Sequence, residues 1–127
     1  PLHDSVRSAI ERLVAAGHSL IIANQVVYEF WVVATRPLSV NGLGRDPERT
    51  SQDVSAMLGT LARIPDPPDL LERWLDLCTR HQVCGRTAHD ARLIAVMLAH
   101  GITQLLTLNP DDFARYPEIT PITPAEV

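Results

Sequence analysis

Apolar residues recur along this chain in two ways. Spaced three and four apart they mark one face of a helix, and as short unbroken runs they mark strands covered by a parallel sheet. Val6, Ile10, Leu13 and Val14 form the inner face of a first helix, capped by Asp4 or Ser5 and stopped by Gly17. Leu20-Ile21-Ile22 is wholly apolar and predicts a strand buried on both faces. Asn24 then caps a second helix reaching about Arg36, with Val26, Phe30 and Val33 on one stripe. A loop over 37–47 holds Asn41-Gly42-Leu43-Gly44, and a third helix over about 48–63 turns Val54, Met57, Leu58 and Leu61 inward. Ile64 starts a brief strand. Leu70, Leu71, Trp74, Leu77 and Cys78 predict a helix over 69–81, with Trp74 in the core. Gln82-Val83-Cys84 reads as a short strand feeding a helix that begins after Thr87, buries Leu93, Ile94 and Met97, and ends at Gly101. The strand over 104–108 is the clearest. It runs into Asn109, placed to cap, Pro110 at the first helical position, and Asp111 and Asp112 in the first turn. A last short strand covers 119–122. Helices alternating with short buried strands give an α/β class with a parallel sheet.

Composition narrows the function. The 127 residues suit one domain with a single core. The longest apolar run, 26–34, is broken by Glu29 and is too short to cross a bilayer, no secretory signal is visible, and the two cysteines form no CxxC or disulfide pattern. A cytoplasmic location is expected, without membrane contact. Net charge is −4, so contact with nucleic acid has to rely on a local patch. All eleven basic residues are Arg, which excludes phosphate binding and Schiff-base chemistry that need Lys. The five His show no zinc spacing, and no GxSxG elbow is present. The carboxylates are left as the group with a collective task.

Two acids fall on apolar stripes. Asp90 lies four residues before Ile94 and seven before Met97, in the first turn of its helix, and Glu29 sits amid Val26, Phe30 and Val33. A carboxylate aimed inward has to be hydrogen-bonded, protonated or neutralised. For Asp90 a capping box with Thr87 competes with a metal site; for Glu29 the alternative is a bridge to an Arg, and for Asp112 a cap. Each acid follows a predicted strand, where sites form in open parallel sheets. Two such charges about 4 Å apart repel by roughly 4 kcal/mol at an effective dielectric of 20, so their convergence demands a cation or a shifted proton. Oxygen ligands alone favour Mg²⁺ or Mn²⁺, ions suited to phosphodiester hydrolysis.

Three blocks together resemble a PIN domain: Ala23-Asn24-Gln25-Val26-Val27-Tyr28-Glu29-Phe30, Ala88-His89-Asp90-Ala91-Arg92-Leu93-Ile94-Ala95, and Leu105-Leu106-Thr107-Leu108-Asn109-Pro110-Asp111-Asp112-Phe113. The likeness is strongest to the toxin ribonucleases of VapBC-type toxin–antitoxin pairs. It implies a three-layer α/β/α fold with a short central parallel sheet, and one PIN-like domain over 1–127. It also implies a Mg²⁺- or Mn²⁺-dependent endoribonuclease, homodimeric and restrained by a cognate antitoxin. By that likeness Asp90, Glu29 and Asp112 are the catalytic, metal-site acids, and Asn109 is a polar contact. Arg86 and Arg92 flank Asp90 and are candidate contacts to RNA phosphates. One departure stands out. PIN domains open with a strand carrying an Asp ligand, whereas this sequence enters at the first helix, and Asp4 does not replace that ligand. The chain is therefore expected to be N-terminally truncated, lacking the first strand. The rival expectation is a catalytically inactive PIN-like interaction module that binds an antitoxin or its own dimer partner.

Overall fold

A computed structural model of the chain describes residues 2–127. Among the described residues, five α-helices and four short strands follow in the order α1 (Leu2–Ala15), β1 (Ile21–Ala23), α2 (Asn24–Thr35), α3 (Pro47–Thr60), β2 (Ala62–Ile64), α4 (Leu70–Arg80), α5 (Ala88–Ala99), β3 (Gln104–Leu106) and β4 (Thr120–Ile122). The predicted α/β class and parallel pairing are both observed. The pairing takes the form of two two-stranded ladders, β1 with β2 (Ile21 opposite Ala62, Ala23 opposite Ile64) and β3 with β4 (Gln104 opposite Thr120, Leu106 opposite Ile122). Residues 2–127 contain no helix long and apolar enough to cross a membrane.

The chain folds as two compact units, Leu20–Pro65 and the pair of segments Pro1–Ser19 and Asp66–Val127. In the first unit, α2 and α3 carry the crossover between β1 and β2 and pack on each other. Asp46 caps α3, its side chain accepting the Arg49 N–H at 2.7 Å, with Pro47 at the first helical position. The predicted cap at Asn24 does not form. Ala23 occupies the cap position and Asn24 opens the helix, its Oδ1 accepting from Arg63 Nη1 at 3.0 Å. Nor is β1 covered on both faces, because Ile21 is exposed while Ile22 and Ala23 are buried.

The second unit holds the main core. Leu77 of α4, Ala91, Ile94, Ala95 and Met97 of α5, and Phe113, Tyr116 and Ile119 beyond β3 are buried together, with Leu70, Trp74 and Cys78 packed at the edge. Leu71, expected inward, is exposed. α1 lies on the C-terminal 3₁₀ turn (Pro124–Glu126), where Arg12 donates to the carbonyls of Val127 and Pro124 at 3.1 and 3.3 Å. The predicted strand over 82–84 is absent. α4 ends instead in a turn, with Gln82 in the left-handed region (φ +51°) and the Val83 N–H bonded back to the Cys78 carbonyl at 3.0 Å.

Candidate active site

The first turn of α5 carries Asp90. Its approach is a 3₁₀ turn (Gly85–Thr87) that opens at Gly85 with φ +64° and passes through Thr87 in right-handed helical geometry, φ −65° and ψ −11°. That geometry denies Thr87 the extended backbone a capping residue adopts. Its hydroxyl donates backwards to the Cys84 carbonyl at 2.7 Å, and no side chain caps the helix at this position. Thr87 thus does not supply its half of the predicted capping box. Asp90 remains half-buried at the positive end of the helix dipole.

Behind that turn the helix is tied into the core. Ala91 and Ile94 are fully buried, and Trp74 on α4 donates its indole N–H to the Ala88 carbonyl at 2.8 Å. Tyr116 is 2% exposed and meets the His81 ring edge-on, with centroids 5.0 Å apart and planes at 68°. Burial pushes the Tyr116 phenol above its ordinary range. Arg115 opposes that rise, and Cys78 and the negative charge of Asp90 reinforce it. Asp90 and Tyr116 therefore share one electrostatic neighbourhood.

Asp112 lies on a four-residue 3₁₀ turn (Pro110–Phe113) after β3. Pro110 begins the turn as expected, while Asn109 caps nothing with its side chain and donates its backbone N–H to Thr107 Oγ1 at 3.1 Å. Asn109, Asp111 and Asp112 are exposed, and the turn is anchored by buried Phe113 and Tyr116. The unit that contains Asp90 thus also presents Asp112, on a turn rooted in the same core as α5.

Glu29 belongs to the other unit. It is exposed, contrary to its predicted place on an inward stripe, and its Oε1 accepts from Gln25 Nε2 at 2.9 Å. α2 buries Gln25 and Ala34, so the inward line runs through different residues from the apolar stripe. Of the flanking arginines, Arg86 is exposed on the 3₁₀ turn, while half-buried Arg92 reaches Asp66 at 3.3 Å and is partly committed to that ion pair. Asp66, Trp74 and Tyr116 did not stand out in the sequence as site residues. Asp66 lies in a Pro-rich connection with no periodic signal, Trp74 read simply as core, and Tyr116 lies between the last two strands on no apolar stripe.

A model of the PIN domain family matches residues 1–119. The chain belongs to the PIN domain family. This PIN domain also shares its fold with a chain of the crystal structure of VapBC2 from Rickettsia felis bound to a DNA fragment from their promoter. The TM-score is 0.69, with 18% sequence identity over 94% of this chain and 85% of that one. No curated protein matches it. The candidate donors of this PIN domain are carboxylate oxygens, chemically suited to a hard dication. Among the described residues, no group of three or more His, Cys, Asp or Glu side chains is gathered to hold a metal ion. Mg²⁺ characteristically takes one or two carboxylates and completes its shell with water and phosphate, so the donor chemistry of Asp90 and Asp112 in one unit fits that habit.

Proposed function

We propose that this PIN domain is the ribonuclease toxin of a type II toxin–antitoxin pair, hydrolysing RNA phosphodiester bonds with Mg²⁺ or Mn²⁺. The observation that carries the reading is Asp90. It is a half-buried carboxylate at a helix N-terminus whose neighbouring Thr87 turns its hydroxyl away, within a chain matched to the PIN family over nearly its whole length. Asp90 would hold the cation with Asp112, which belongs to the same unit. The ion, when bound, supplies an activated water and neutralises charge on the phosphate. The chain's own contribution is to keep Asp90 at the positive end of a helix and Asp112 on a rigid turn, and to offer Arg86 to a phosphate. With a net charge of −4, RNA binding depends on such local contacts and weakens steeply with salt.

The proposed partners are a cognate antitoxin and a second copy of the chain. Support for the antitoxin comes from the fold neighbour, a VapBC2 complex on its promoter DNA. It comes also from α2, where Tyr28, Trp31 and Val32, at helical spacing, leave apolar surface exposed of the kind protein partners cover.

The test is cleavage of a structured RNA by the purified full-length protein in Mg²⁺ or Mn²⁺, beside Asp90→Asn. We expect the variant to lose at least about 100-fold in rate, roughly 2.7 kcal/mol of barrier, at unchanged Tm. Equal cleavage by both proteins, or none by either in any divalent metal, overturns the proposal.

A further inference from the structure

We propose that Trp74 is a positioning residue for Asp90, its indole N–H gripping the Ala88 carbonyl and so fixing the first turn of α5 against α4. The inference rests on the nuclease reading for its functional consequence. The geometry stands without it.

A helix N-terminus leaves its first N–H groups without intrahelical partners, and a side-chain cap normally steadies it. No side chain caps α5 from Thr87, because that hydroxyl is spent on the Cys84 carbonyl. The bond from Trp74 restrains the turn that carries Asp90: at 2.8 Å it joins residues 14 apart in sequence and on different helices. The Ala88 carbonyl also accepts the Arg92 N–H in the ordinary helical ladder, so the indole is its second donor. Trp74 is well suited to this, because a half-buried indole N–H requires an acceptor and the side chain has only two torsions to fix. Its ring packs at the edge of the core beside Leu70, Leu77 and Cys78. Asp90 lies two residues beyond the gripped carbonyl, and the adjacent Ala91 is pinned in the core with Tyr116. The turn is therefore held from α4 by a directional bond and from the core by packing.

Trp74→Phe keeps an aromatic ring and removes the donor. Val96→Ala, deep in the same helix and remote from its first turn, is the control for loss of stability alone. Two readouts separate the roles: hydrogen exchange at the Arg92 amide, and kcat and KM for RNA cleavage. In Trp74→Phe the Arg92 amide should exchange about fivefold faster than global unfolding explains, and kcat should fall about tenfold at unchanged KM. Val96→Ala should lower Tm while leaving kcat unchanged. The role is overturned if Arg92 exchange in Trp74→Phe follows global stability, or if Val96→Ala loses kcat equally. A parent protein that cuts no RNA removes the nuclease reading alone, since exchange at Arg92 still decides whether Trp74 restrains the turn.

Discussion

α1, α4 and α5 end with the same pair of backward hydrogen bonds. Gly17 and His18 return to the carbonyls of Val14 and Leu13, both at 3.0 Å. Gln82 and Val83 return to Thr79 and Cys78 at 3.4 and 3.0 Å, and Gly101 and Ile102 return to Leu98 and Met97 at 3.1 and 2.9 Å. This closure places the first residue of each pair in the left-handed region, at φ +89°, +51° and +69° respectively. Two of the three positions are Gly and one is Gln, which sets up a test with opposite signs. A Cβ added at Gly101 meets nothing within 4 Å, so Gly101→Ala carries only a backbone penalty, about 1 kcal/mol. Gln82→Gly relieves a similar penalty and forfeits the Gln82 side-chain bond to the Thr79 carbonyl at 2.9 Å. That bond is exposed and contributes about 0.5 kcal/mol, leaving a net gain of roughly 0.5 kcal/mol. For a chain of this length the corresponding shifts are about −4 °C for Gly101→Ala and +2 °C for Gln82→Gly. Thermal and urea denaturation of both single variants and the double variant measure them, and the two effects should add. If Gln82→Gly destabilises, or if Gly101→Ala is neutral, the backbone accounting is wrong.

Other expectations concern the loop after α2 and the alkaline limb of stability. At Gly42 a Cβ would lie 1.8 Å from the Arg36 carbonyl oxygen. Gly42→Ala should therefore break the bonds from Gly42 to Pro37, Leu43 to Val33, Gly44 to Arg36 and Arg45 to Ala34, costing on the order of 3 kcal/mol. Limited proteolysis over 37–46 reads the change, and an unaltered cleavage pattern counts against it. Burial raises the Cys78 thiol above its usual 9.0 and the Tyr116 phenol above its usual 10.0. The folded chain then holds these protons longer than the unfolded one, so their stabilisation is complete below about pH 9 and fades as pH climbs through 10 and beyond. Tm measured from pH 8 to 11 should fall, less steeply in Tyr116→Phe, and a flat parent profile contradicts the assignment.

What could be read from the residues depended on whether the signal was local. The strand expected over 104–108, observed over 104–106, and the Asp90 position in a first turn are each fixed by neighbours a few residues away, and both appear in the fold. The strand expected at 82–84 failed because the closing turn of α4 uses Gln82 where glycine would have announced it. Val83 looks like a strand residue when it is in fact the apolar residue following a helix stop. α2 is apolar nearly all round, so the stripe through Glu29 had no polar face to be measured against. The helix buries Gln25 while Val33 stays more than a third exposed. Thr87 shows the same limit at the site itself. Its spacing from Asp90 suited a cap, but the conformation imposed by Gly85 turned its hydroxyl to Cys84. The restraint that replaced it joins a side chain to a main-chain carbonyl on another helix. Such a bond leaves no trace in spacing or composition, because every residue except proline offers the same backbone groups. The place of Asp90 in a first turn could therefore be read from its sequence neighbours, whereas the bond from Trp74 to that turn is visible only once the two helices are packed.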